Sequence, residues 1–79
     1  MEISHGQLNM LCHKLNGILN QLEKPFVWSV VRDGDSYRLQ QLNSQRDITE
    51  NILTNVSSEK CNTYLLGYYL GLRNISMKV

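Results

Sequence analysis

The sequence predicts a small two-layer α+β domain: a helix, an antiparallel hairpin with room for a short third strand, then a second helix. Three observations carry this. From Ser4 to Lys24 the apolar residues recur at spacings of three and four; FVWSVVR and SYRLQQL flank an Asp-Gly pair; and SSEKCNTYLLGYYLGLR, Ser57 to Arg73, is apolar around nearly its whole circumference. Seventy-nine residues make one domain, 1–79, and so short a chain buries only about 60 to 65% of its unfolded surface, which leaves the core marginal unless a partner adds to it.

The first helix opens with a capping box, Ser4 as N-cap and Gln7 three residues on, each able to satisfy the other's free amide. Leu8, Leu11, Cys12, Leu15, Ile18, Leu19 and Leu22 form its apolar stripe. Asn9, His13, Asn16, Asn20 and Glu23 fall on the opposite face and read as solvent-exposed, and Lys24-Pro25 ends the helix. Gly17 lies off the stripe, either to admit the last helix or simply tolerated.

Phe26 to Arg32 and Ser36 to Leu42 read as paired strands from their β-branched and aromatic content. A two-residue type I′ turn closed on Asp33-Gly34 sets Val30 opposite Tyr37 and Trp28 opposite Leu39. That register puts Phe26, Trp28, Val30, Tyr37 and Leu39 on the core face, with Val27, Ser29, Val31, Arg38 and Gln40 on a mostly wet one. After a turn over Leu42 to Gln45, Arg46 to Thr49 can add a short edge strand. Thr49 to Val56 reads either as a single helical turn carrying Ile52 and Leu53 or as a packed loop.

The last helix takes Ser57 or Ser58 as N-cap, Glu59 in its first turn and Val56 as a staple. Cys61, Leu65, Tyr68 and Leu72 make one stripe, with Leu66, Tyr69 and Leu70 beside or behind it, so burial on more than one side is expected. Gly67 and Gly71, each costing about 1 kcal/mol of helix propensity, suggest a close packing partner. The apolar run is shorter than the roughly 20 residues a membrane span needs. Beyond Arg73, Ile75, Met77 and Val79 alternate as in an edge strand or a frayed end.

Eight lysines and arginines against seven aspartates and glutamates leave no electrostatic footprint for nucleic acid. Cys12 and Cys61 lie on apolar faces and read as reduced core thiols of a cytoplasmic protein. No CxxC or HxxxH spacing gathers a metal site, Cys12 and His13 point about 100° apart, and no nucleophile has an oriented base beside it. A non-enzyme without cofactor is expected.

Two binding readings remain. Protein contact draws on the aromatic and apolar surplus of the last helix, with Tyr64, Leu66, Tyr69 and Leu70 as candidate contact residues. A homodimer through that helix is one form of it. Nucleic-acid binding would use Arg32, Arg38 and Arg46 around the hairpin, though Asp33, Asp35 and Asp47 interleave with them.

From Tyr37 onward the chain resembles small accessory proteins of bacteriophages and mobile elements. These carry a Y-x-L strand, a turn, S-x-[ED]-[IL]-[ST], and a Ser-capped helix rich in tyrosine and leucine that ends G-x-x-x-G-[LI]. Tyr37 and Leu39, Ser44 to Thr49, Ser57, and Tyr64 to Leu72 stand in those places, the serine-to-isoleucine spacing being one residue longer here. The resemblance covers about half the chain. It implies a phage or mobile-element accessory protein and transfers no catalytic residue; the protein-contact reading then expects a factor in the cytoplasm of a bacterial host that inhibits a host or defence protein, such as a CRISPR effector, by direct contact.

Overall fold

The computed structural model describes residues 3–77 and is an α+β fold, with elements α1 (His5–Gln21), β1 (Phe26–Asp33), β2 (Ser36–Asn43), β3 (Ile48–Val56) and α2 (Ser58–Met77). The strands form one antiparallel sheet in the order β1-β2-β3. Leu8, Leu15, Leu19, Leu39, Cys61 and Leu65 are fully buried between helices and sheet, joined by Cys12, Trp28, Val30 and Tyr37.

The capping box on α1 is present in full: Gln7 N donates to Ser4 Oγ at 3.2 Å and Ser4 N to Gln7 Oε1 at 2.9 Å. At the other end Glu23 N donates to Asn20 O and Lys24 N to Leu19 O, with Glu23 in the left-handed region at φ 58°. That is a Schellman stop, in the position glycine fills most easily. Gly17 has nothing within 4 Å of where a Cβ would stand, so it admits no close approach.

The hairpin differs from expectation by one residue in its turn. Asp33 pairs with Ser36, so the turn residues are Gly34 and Asp35, and Val30 faces Leu39 while Trp28 faces Gln41. Only Gly34 takes a left-handed φ, 62°, which is the type II′ demand rather than the type I′ one. Ser36 Oγ donates to Asp33 O and Arg32 Nε to Gly34 O, holding the turn there. Moving the turn by one residue slips the pairing by two, and two is the side-chain period of a strand, so the face assignments survive. Gln40 is the exception on the wet face: it is only 6% exposed, its Nε2 3.5 Å from Asn51 Oδ1.

The third strand is much longer than Arg46 to Thr49. Asn43 organises the preceding turn, its Oδ1 accepting from Gln45 N and Asp47 N, and Arg46 takes a left-handed φ of 67°. β3 then runs through Thr49 to Val56, neither helical turn nor loop, using nine residues where β2 uses the six from Tyr37 to Leu42. The three extra residues enter at three register shifts. One falls between the pairs Leu39–Leu53 and Gln40–Asn51, leaving Ile52 unpaired beside Leu53, and both pack against the core. Adjacent inward apolar residues break strand alternation, and this is why the segment resembles a helical turn in sequence.

Ser57 is the N-cap of α2, receiving Lys60 N on its Oγ at 3.2 Å. Ser58 is instead buried beneath the first turn. The helix continues through Ile75 to Met77, so the tail is no edge strand over that length; Val79 lies outside the described residues.

Candidate protein-contact surface on the last helix

Both helices start at the hairpin-turn end of the sheet. His5 begins α1 with its Nε2 3.4 Å from Val30 O and its ring centroid 5.8 Å from that of Tyr37; α2 begins just after Val56, the pairing partner of Tyr37. Descending along β1, α1 presents Asn16 to the outer edge of that strand. Asn16 Nδ2 donates to Trp28 O and Trp28 N donates to Asn16 Oδ1, both at 2.8 Å, and Cys12 Sγ donates to the same carbonyl at 3.1 Å. One side-chain amide thus stands in for a neighbouring strand and closes the sheet edge. Asn16 is therefore half-buried structure and not part of a solvent face.

With its backbone fixed, Trp28 sets what α2 can do. Its ring centroid lies 4.4 Å from that of Tyr68 and 6.0 Å from that of Tyr64, and it is buried beneath them. Both tyrosines keep an exposed side. The residues of α2 that turn to the core are Cys61, Leu65, Tyr69 and Leu72, so Tyr69 takes the place expected of Tyr68.

The expectation that α2 is enclosed on several sides is overturned. Among the described residues the exposed large apolar side chains are Met10, Ile48, Tyr64, Leu66, Tyr68, Leu70 and Ile75, and all but the first two belong to α2. They divide into two flanks. At 100° per residue Tyr64 and Leu66 stand 200° apart, so Tyr64, Tyr68 and Ile75 lie on one side of the buried stripe and Leu66 and Leu70 on the other. Of the four candidate contact residues, then, Tyr69 belongs largely to the core, Tyr64 lies on the first flank, and Leu66 with Leu70 on the second.

The first flank carries an open groove lined by Gly67, Tyr68, Gly71, Leu72 and Ile75. Among the described residues a Cβ on either glycine would meet nothing within 4 Å, so no contact with them explains the glycines. Sequence reasoning missed Ile75 as part of this surface because it ended the helix at Arg73. Continued helical spacing would have set it four residues past Gly71 on the same row.

The three arginines are not brought together. Arg32 is tied to Gly34 O, and Arg38 Nε is buried 3.4 Å from Asp33 Oδ2, a charge contact without hydrogen-bond alignment. Arg46 sits in the β2–β3 turn, at the opposite end of β2 and roughly 20 Å away at ~3.3 Å per strand residue.

Reactive chemistry is sparse. Burial first, and the neighbouring Cys61 second, push the Cys12 thiol from 9.0 up to about 12, with the Asn16 hydrogen bond acting the other way. Burial likewise raises Cys61, and both cysteines are free. Thiols held neutral are poor nucleophiles and poor metal ligands. His13 is exposed in an open groove between α1 and the edge of β1, and among the described residues no three His, Cys, Asp or Glu side chains gather where a metal could sit. Among the same residues no helix is long and apolar enough to cross a membrane. No family model matches the chain, and neither curated proteins nor solved structures give a match.

Proposed function

We propose that this chain is a non-enzymatic accessory factor that acts by direct contact with another protein through the exposed face of α2. The observation that carries the reading is the concentration of exposed Tyr, Leu and Ile side chains on that one helix. Scattered apolar residues are normal on a surface, whereas two apolar flanks on one helix point to contact with another protein. The tyrosines suit it further, since a ring propped on Trp28 offers area with little left to order on binding. Leu66 and Leu70 supply the target-facing flank. The partner class proposed is a host or defence protein of a bacterium, a CRISPR effector being one example, in keeping with an accessory protein of phage or mobile-element type. The buried, neutral Cys12 thiol supports contact over catalysis, as does the lack, among the described residues, of three His, Cys, Asp or Glu side chains gathered at one place.

The nucleic-acid reading draws less support, because Arg32 and Arg38 are engaged at one end of the sheet while Arg46 lies at the other.

Capture from bacterial lysate with and without nuclease tests the proposal, using the native chain and a Leu66→Asp/Leu70→Asp variant. Both leucines are exposed, so the variant is expected to keep the native circular dichroism, which is recorded alongside. A nuclease-resistant, stoichiometric protein held by the native chain and lost by the variant is the expected result. Capture that vanishes with nuclease, or that the variant leaves intact, overturns it.

A further inference from the structure

We infer that α2 pairs with the α2 of a second copy of this chain, antiparallel and related by a twofold axis passing at Gly71. This rests on the reading of α2 as a protein-contact surface and assigns its tyrosine and glycine flank to self-pairing, leaving Leu66 and Leu70 free for a target.

Self-complementary shape is the first argument. Gly67, Gly71 and Ile75 stand four apart on one row of α2, and such rows interdigitate when two helices cross at about 50°. An antiparallel crossing about Gly71 places Ile75 of each copy over Gly67 of the other, both being four residues from the axis in opposite directions. A protruding side chain meets a residue with none, twice by symmetry. The space is there: Ile75 is 55% exposed, and among the described residues nothing approaches the Cβ position of either glycine.

Charge and area agree with that occupant. The row is uncharged, so it selects no oppositely charged partner, and a formal charge of +1 per chain makes bringing two copies together cheap. Tyr64 and Tyr68 are 40% and 39% exposed, which with Ile75 amounts to roughly 250 Å² of side chain. Adding the bared glycine backbone and the outer side of Leu72 gives on the order of 400 Å² per copy. The total of about 800 Å² is below what a stable dimer buries and is the scale of weak, transient association.

Two variants test this by sedimentation equilibrium from micromolar to millimolar concentration, alongside thermal melting. Gly67→Ala/Gly71→Ala fills space that is empty in the single chain. It is expected to melt about 5 °C or more higher at low concentration, through helix propensity, while self-association falls at least tenfold. Ile75→Ser is expected to weaken self-association similarly without the gain in melting temperature. A native chain that stays monomeric to millimolar concentration, or self-association that both variants leave unchanged, overturns the pairing. A monomer that still captures a partner through Leu66 and Leu70 refutes this inference alone; self-association with no captured partner refutes the accessory-factor reading alone.

Discussion

Replacing Asn16 by Ala removes the amide that closes the edge of β1. The two 2.8 Å bonds to the Trp28 peptide are lost together, and they are of unequal consequence. Trp28 O retains the Cys12 thiol as a donor at 3.1 Å, whereas Trp28 N, which donates to Asn16 Oδ1, finds no second acceptor among the described residues. A hydrogen bond of this kind contributes about 1 kcal/mol net, and stranding a part-buried amide adds about 1 to 2 kcal/mol. Against this, Ala is the better helix former by about 0.6 kcal/mol. The expected net loss is about 2 kcal/mol, or roughly 10 °C in melting temperature for a domain of this size. Urea titration measures the loss, and hydrogen exchange localises it, because the Trp28 amide should lose protection before its neighbours on β2 do. A loss below about 0.5 kcal/mol with Trp28 protection unchanged would mean that water replaces Asn16 without penalty, and the account of α1 as an edge cover would be wrong.

Two further perturbations follow from local geometry. Glu23→Gly relieves a left-handed residue at the helix stop and Arg46→Gly relieves one in the β2–β3 turn; each should raise the urea midpoint, by about 0.5 to 1 kcal/mol in stability after allowing for the greater freedom of unfolded glycine, and a lowered midpoint would contradict the reading. The Cys12 thiol makes stability fall in alkali. The folded chain holds that proton up to about pH 12 and the unfolded chain releases it near 9.0, so the contribution is whole below pH 9 and declines as pH rises from there toward 12, by at most about 1.4 kcal/mol per pH unit. Cys12→Ser should flatten that decline in urea titrations at pH 8 to 11, and an unchanged slope would assign it elsewhere.

Much of the fold is legible in the sequence because local signals and tertiary demands coincide. The α1 stripe, its capping box and the two hairpin strands read correctly, each being set by residues within one or two turns of one another, and of the two serines open as the α2 cap the structure uses Ser57. β3 is illegible for a physical reason: its three bulges consume alternation, the only local mark of a strand, and Ile52 beside Leu53 imitates a helix. The hairpin turn slipped because Asp-Gly supports two neighbouring placements, and the position of Gly34 in the turn is decided by the strand pairing as a whole. Asn16 shows the same limit. A polar residue off the apolar stripe reads as solvated, and only the course of α1 along β1 makes it structural. For α2, apolar content announced contact with something, but whether the chain itself supplies that contact depends on packing. It supplies it for Cys61, Leu65, Tyr69 and Leu72, and leaves the two flanks bare.

The most direct test of the central claim is site-specific photocrosslinking in bacterial cells, with a photoreactive phenylalanine analogue at position 66 or 70 and, as comparison, at Met10 of α1, which is more exposed than either leucine. The account predicts a discrete crosslinked protein from positions 66 and 70 and none from position 10. Equal labelling from all three, or no protein adduct from α2 at all, would contradict it.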